Sequence, residues 1–311
     1  MSIVVFGSIN MDLVVTVPRL PLAGETIPSE SFFTASGGKG ANQAVAAAQL
    51  KLSPVYFVGQ VGADDFGRSL LASLQAAGVK TDAVKINSNI HSGVASIAVA
   101  ANGDNTIAIA AGANGCVGKQ EIEAFKALLE NAKIVMLELG IPLDAVLEAA
   151  KAAKSAGVTV ILDPAPAPSS LPAELYSSID IITPNEIEAS QLAGFPVTDR
   201  DSAAAAANFF RAKGVRTAIV TLGADGCFCS SDSGSYTLPA IPQTEVIDTV
   251  GAGDAFNGGL AAALAEGKSL KEALQWASVM GALSVTKKGA RTMLGDLNQF
   301  FSAVDRFSSG K

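Results

Sequence analysis

Short apolar runs alternate with longer helical patterns along most of the chain. Ile3–Phe6, Val55–Val58, Ile134–Leu139, Val158–Leu162, Ile179–Thr183 and Thr217–Thr221 are rich in β-branched residues and read as strands. Between them Ala41–Leu50, Gly67–Ala77, Leu143–Ser155, Glu186–Ala193 and Ser202–Lys213 read as helices, and Gly78 stands where a left-handed residue ends one. This rhythm predicts a doubly wound α/β fold, a mostly parallel sheet covered by helices. Two stretches break it. Asp12–Thr34 runs from Leu13-Val14-Val15-Thr16-Val17 into Pro18, Pro21 and Gly24, and Ser92–Ala111 reads as strand, turn, strand around Asn102-Gly103-Asp104. They predict a small antiparallel β-sheet, residues 12–35 and 91–112, which projects as a lid or oligomer interface. The α/β body then comprises residues 1–11, 36–90 and 113–311.

Composition narrows the field. With 311 residues, 49% of them hydrophobic and 16% charged, the chain can bury a large core. A net charge of −7 argues against a nucleic-acid partner, though not against a nucleotide in a local positive pocket. The start, Met1-Ser2-Ile3-Val4-Val5-Phe6-Gly7, reads as a core strand and not as a signal peptide, and no apolar run reaches the ~18 residues of a membrane span. A cytoplasmic protein with no membrane partner is the expectation. Cys116, Cys227 and Cys229 have neither disulfide-framework nor zinc spacing, which predicts buried, reduced thiols. His91 is the single histidine and sits in a polar stretch, so triad and His-metal chemistry have little to work with.

Four segments carry chemistry. Asp248-Thr249-Val250-Gly251-Ala252-Gly253-Asp254 runs into the helical stretch Leu260–Ala265. Glycines at a helix start uncover backbone N–H groups, and the helix dipole adds a site for a phosphoryl group. Asp254 could simply cap that helix, but a carboxylate beside an anion site also suits a base acting on a hydroxyl that attacks phosphorus. Gly37-Gly38-Lys39-Gly40-Ala41-Asn42 again leads glycines into a helix; it is not a Walker A motif, because Lys39 lacks a following Ser or Thr. A tight turn is the plain alternative. In Thr183-Pro184-Asn185-Glu186-Ile187-Glu188, Asn185 and Glu188 fall on one side of a starting helix, as hard oxygen ligands for Mg²⁺ through water or as ordinary helix-start residues. Gly7-Ser8-Ile9-Asn10-Met11-Asp12 lies at the carboxyl end of the first strand, where open parallel sheets bind ligands; Asn10 and Asp12 suit sugar hydroxyls or a turn.

In this order and across the whole chain, the four segments resemble the ribokinase-like (PfkB-type) carbohydrate kinases. Gly38-Lys39-Gly40-Ala41-Asn42 and Asp248–Asp254 match that family's two signature regions. The resemblance implies MgATP as phosphoryl donor, a small sugar as acceptor, and a homodimer formed through the β lid. Asp254 would deprotonate the sugar's primary hydroxyl, and the amides of Gly251, Ala252 and Gly253 would form the anion hole. Asn10, Asp12, Gly38 and Asn42 would hold the sugar, with Lys39 near the phosphates. Asn185 and Glu188 would organise Mg²⁺ and its waters. Asn185, Thr221, Gly223 and Ser278 would contact the nucleotide. Asp248, with carbonyls of Val250, Ser284, Lys287 and Gly289, would match a structural K⁺ site.

The chain departs from the family pattern in two places. Family members usually carry a sugar-contacting glutamate where Gly140 stands in Leu137-Glu138-Leu139-Gly140-Ile141-Pro142. Glu138 lies two residues earlier on the same face, one pleat or ~6.6 Å away, so it is a candidate replacement contact. Phosphorylation of a pentose, D-ribose to ribose 5-phosphate, is the expectation, with fructose the alternative that a wider pocket at Gly140 would admit and another sugar or a nucleoside behind it. Thr292 and Met293 stand where a serine usually completes the K⁺ region. A Rossmann dehydrogenase fits poorly, because no G-x-G-x-x-G follows the first strand. A silent sugar-binding protein would have no physical need for the Asp254 carboxylate beside an anion site.

Overall fold

A computed structural model describes residues 1–242, 245–287, 289, 291 and 297–309. The strands are β1 (Ser2–Phe6), β2 (Asn10–Val17), β3 (Ser31–Gly37), β4 (Val55–Gly62), β5 (Val84–Asn87), β6 (Gly93–Ala100), β7 (Asn105–Ala110), β8 (Ala132–Leu137), β9 (Thr159–Leu162), β10 (Ile181–Ile182), β11 (Thr217–Thr221), β12 (Cys227–Ser231) and β13 (Gly234–Leu238). The helices are α1 (Lys39–Gln49), α2 (Asp65–Ala76), α3 (Lys119–Leu128), α4 (Leu143–Ser155), α5 (Ala173–Ser178), α6 (Glu186–Ala193), α7 (Arg200–Ala212), α8 (Ala252–Ala265), α9 (Leu270–Ser284) and α10 (Leu297–Ser309).

Nine strands form one sheet in the order β13-β12-β11-β10-β9-β8-β1-β4-β5. From β11 to β5 every pairing is parallel, and β12 and β13 extend one edge antiparallel. The two faces of β1 explain its composition. Ile3 and Val5 pack into the core beneath α1, α8 and α9, whereas Val4 and Phe6 face the core beneath α3, α4 and α7. A strand buried on both sides has no polar positions to alternate. Chain order reverses between β8 and β1, a switch point that opens a crevice at the carboxyl ends of the strands.

The second sheet has the order β3-β2-β6-β7. It is antiparallel except at its centre, where Asn10–Val17 and Gly93–Ala100 run parallel. Its exposed apolar residues include Phe32, Phe33, Ile107 and Ile109. The Asn102–Asp104 turn joins β6 to β7, with the Asn102 side chain bonded to Asp104. Cys227 and Cys229 are buried on β12, but Cys116 is exposed, because it ends a short 3-10 turn at the surface rather than entering a strand. His91 is exposed. Among the described residues no helix is long and apolar enough to cross a membrane.

Candidate active site

The site is built where α1 leaves the end of the lid. Gly38, between β3 and α1, adopts φ +92°, and a Cβ there would lie 2.5 Å from Ile9 Cα and 2.7 Å from Asn10 N. Only glycine fits such a position without moving backbone. The Ala41 amide donates to Ser8 O, so the helix begins directly against the end of β1. Helix α8 crosses α1 at glycine, since a Cβ on Gly258 would meet the Ala46 Cβ at 2.5 Å. This close crossing brings Asn42 and Gln43 to Asp254.

Asn42 Nδ2 donates to Asp254 Oδ2 over 2.9 Å, and Gln43 Nε2 donates to Asp254 Oδ1 over 3.2 Å. Burial pushes the Asp254 carboxyl above the usual carboxylate range; Lys39, the two amides and Arg291 oppose that rise. Gln43 also donates to Asp163 Oδ2 over 2.8 Å. Asp163, just after β9, is pushed well up by burial, against the pull of Lys39. Burial alone would lower the Lys39 pKa, but Asp163, Asp254, Glu188 and Glu138 hold it above the ordinary lysine value.

Asp254 opens α8 beside Gly251, which is left-handed at φ +80°. The first turn of a helix has amide N–H groups without intrahelical acceptors. This helix start lines a cavity of about 200 Å³ whose wall includes Lys39, Asp163, Asn185, Glu188, Thr221, Gly251, Ala252, Gly253 and Asp254, and the Ala252 amide donates to Thr249 O over 3.2 Å. Asn185 and Glu188 form a reciprocal capping box on α6: Asn185 Oδ1 accepts from the Glu188 amide and Glu188 Oε2 from the Asn185 amide, each over 2.9 Å. Gly223 and Ser278 are not on this wall. Gly223 opens a 3-10 turn after β11, and Ser278 is buried on α9.

Asn10 and Asp12 stand at the start of β2. Asn10 Oδ1 accepts from Asn114 Nδ2 over 2.7 Å, and Asn114 also bonds the Ile9 backbone. Asp12, on β2, packs so close to Gly37 that a Cβ there would meet its Oδ2 at 2.2 Å. Burial raises its pKa to about 6, opposed by Arg291 and reinforced by Asp254. Glu138 lies fully buried past the end of β8. It accepts from the Ser8 amide and, over 2.8 Å, from the Gly140 amide. Burial raises it to about 7, against those amides and Lys39. A Cβ on Gly140 would meet Glu138 Oε2 and Ser8 Oγ at 2.7 Å each, so the Glu138 carboxylate fills the space beside residue 140.

Asp248 draws together two loops, accepting from Val250 N over 3.0 Å and from Gly289 N over 2.9 Å. The amides of Ile247 and Asp248 donate to Val285 O, and Lys287 N to Ser284 O. Thr292 and Met293 lie outside the described residues. Asp163, Gln43, Asn114 and Arg291 join this constellation without having been singled out in the sequence. Asp163 does carry a signal, a carboxylate directly after an apolar strand and before Pro164. For the other three, only the fold reveals their partners.

The comparisons place this fold among the sugar kinases. The description "pfkB family carbohydrate kinase" matches residues 1–296, and the chain belongs to that family. It is 41% identical over 293 residues to a ribokinase of Haemophilus influenzae, covering 94% of this chain and 95% of the relative. To a deoxyribokinase of Salmonella typhi it is 36% identical over 300 residues, 96% of this chain and 97% of the relative. The structure of Arabidopsis thaliana ribokinase complexed with ribose and ATP superposes with a TM-score of 0.89 at 37% identity, covering 97% of this chain and 98% of that one. The chain is an ATP-dependent carbohydrate kinase.

Proposed function

We propose that the chain transfers the γ-phosphoryl group of ATP to the primary hydroxyl of D-ribose, giving ribose 5-phosphate. The observation that carries this is the Asp254 carboxylate, held by Asn42 and Gln43 at the mouth of the helix start that opens the polar cavity. A carboxylate there can take the proton of an attacking hydroxyl. Its raised pKa brings it nearer the operating pH as a base, and Lys39 helps keep it ionised.

Asn10, Asp12, Gly38 and Asn42 hold the sugar on the lid side, and Asp254 separates them from the phosphates. Glu138 contributes from below, through Ser8 and Gly140, instead of reaching the sugar as a residue-140 glutamate would. The amides of Gly251, Ala252 and Gly253 receive the charge that develops on the γ-phosphoryl group. Lys39 neutralises phosphate oxygens. Asn185, Thr221, Gly223 and Ser278 serve the nucleotide.

Mg²⁺ fits the cavity chemically. Asp163, Glu188 and Asp254 crowd around one lysine, and a divalent cation relieves that excess of negative charge. Asn185 and Glu188, already locked as a capping box, would hold it through their oxygens, and when bound it would supply positive charge beside the phosphates. The Asp248 carboxylate, with carbonyls of Val250, Ser284, Lys287 and Gly289, supplies the hard oxygens that K⁺ takes. The lid comprises residues 12–35 and 91–112, and its exposed Phe32, Phe33, Ile107 and Ile109 pair in a homodimer.

Fructose is the second reading, because residue 140 has no side chain. The test is ATP-dependent ADP release on ribose, deoxyribose, fructose and adenosine, with and without K⁺. Fastest turnover on ribose supports the proposal. Fastest turnover on fructose transfers the site to a hexose, and no turnover on any of them overturns the acceptor assignment.

A further inference from the structure

Arg291 lies two residues beyond Gly289, and its guanidinium reaches across to the start of α1. Nε donates to Asn42 Oδ1 over 2.9 Å, Nη2 to Gly37 O over 2.6 Å, and Nη1 to Ser73 Oγ over 3.2 Å. One side chain therefore ties α1, the last residue of β3 and α2 to the segment that follows α9. Burial lowers its pKa to about 10, opposed by Asp12 and Asp254, so it remains a cation at neutral pH.

The bond to Asn42 decides an orientation. A side-chain amide can be turned over, exchanging its oxygen and its NH₂. In the observed orientation the oxygen accepts from Arg291 while the NH₂ donates to Asp254 Oδ2. Turned over, Asn42 would place its oxygen against the carboxylate and its NH₂ against the Arg291 N–H. Both contacts would be repulsive. Arg291 thus selects the one orientation that supplies Asp254 with a donor. A carboxylate whose oxygens each accept a fixed bond has its remaining lone pairs aimed. The second arm, on Gly37 O, fixes the chain immediately before left-handed Gly38, where the lid enters α1.

We propose that Arg291 is a positioning residue for phosphoryl transfer: through Asn42 it aims the Asp254 carboxylate, and through Gly37 it anchors the root of the lid. This rests on the reading of Asp254 as the base. A neutral or absent side chain at 291 leaves the Asn42 amide free to rotate and Asp254 with one donor fewer.

The experiment uses the full chain carrying Arg291→Met, Arg291→Lys, Asn42→Ala or the Asn42→Ala/Arg291→Met pair, with steady-state kinetics and thermal melting. Loss of a hydrogen bond to a charged group predicts that Arg291→Met lowers kcat by ~10–100-fold. KM for ATP stays unchanged. Because Arg291 reaches Asp254 only through Asn42, and its bond to Gly37 bears on folding rather than on turnover, the pair shows the same kcat as Asn42→Ala alone. Wild-type kcat in Arg291→Met, losses that multiply in the pair, or a change confined to KM for ATP overturns the proposal. Should Arg291→Met fail to fold, Arg291→Lys decides. It keeps the charge but spans fewer acceptors, so a reduced kcat at an unchanged melting temperature supports the positioning role, and full kcat overturns it. Asp254→Asn is run alongside. If it retains turnover, the base assignment falls. If it abolishes turnover while both Arg291 variants match wild type, only the positioning role falls.

Discussion

Gln43 Nε2 lies 2.8 Å from Asp163 Oδ2, a bond between helix α1 and the end of β9 buried within the molecule. The same nitrogen lies 3.2 Å from Asp254 Oδ1, so a single amide joins two carboxylates that would otherwise repel. Gln43→Leu leaves both without this donor. An unsatisfied buried polar group costs ~1–3 kcal/mol, so the variant should melt lower than wild type in a thermal scan. Its kcat should also fall, because Asp254 keeps only the Asn42 bond.

Asp254→Asn removes the proposed base with little change of shape. Turnover should fall by ~10²–10⁴-fold, the usual contribution of a positioned base, while calorimetry still detects sugar binding. In the wild type, burial raises the Asp254 pKa, so protonation inactivates the base at a higher pH than for an exposed aspartate. The rate should rise with pH through that raised pKa and be lost as pH falls through it.

Asp12 gives a separate pH effect on binding. Its pKa of about 6 means that the carboxylate accepts hydroxyl hydrogen bonds fully only above that value. KM for the sugar should therefore climb as pH falls below about 6. Asp12→Asn should weaken binding at neutral pH and flatten the profile, which a pH series of KM checks.

Glu138 links pH to stability. Its pKa rises from 4.5 to about 7 in the folded chain, so protonation favours folding. The contribution is complete below about pH 4.5 and is lost as pH rises through about 7. Linkage at 1.36 kcal/mol per unit makes it about 3 kcal/mol in order of magnitude. Denaturant midpoints of wild type and Glu138→Leu between pH 4 and 8 read it as a narrowing gap with rising pH.

Gly38→Ala should destabilise the chain at the entry to α1. A β-carbon at φ +92° would also lie 2.5 Å from Ile9 Cα, against backbone that cannot swing aside. Left-handed strain alone costs ~1–2 kcal/mol, and the contact adds to it. Equilibrium unfolding measures the sum.

Much of this was legible in the sequence. Periodicity located Thr217–Thr221, Leu143–Ser155 and Glu186–Ala193 at their observed bounds, because burial on a sheet face leaves a clear pattern. The glycine-led helix starts gave Lys39, Asn42 and Asp254 together, since backbone exposure needs glycine wherever it occurs. What stayed hidden depends on contact at long range. The parallel pairing of β2 with β6 leaves no local mark, because a strand's alternation is the same whichever way its neighbour runs. Arg291 carries no local mark of its partners; only the fold brings Asn42 and Gly37 to it. Glu138 read as a possible sugar contact; its turn toward the Ser8 and Gly140 amides follows from the shape of the loop after β8.

The Asn42–Arg291 bond joins residues 249 positions apart, and Asn42–Asp254 spans 212. Ribosomes deliver a chain from its amino end, so α1 and the lid strands exist well before their partners. The glycine-led start of α1 and the lid strands must wait, incomplete, until α8 and the segment beyond α9 have emerged. A chain that has not yet emerged past Arg291 therefore cannot hold Asn42 and Asp254 in this arrangement.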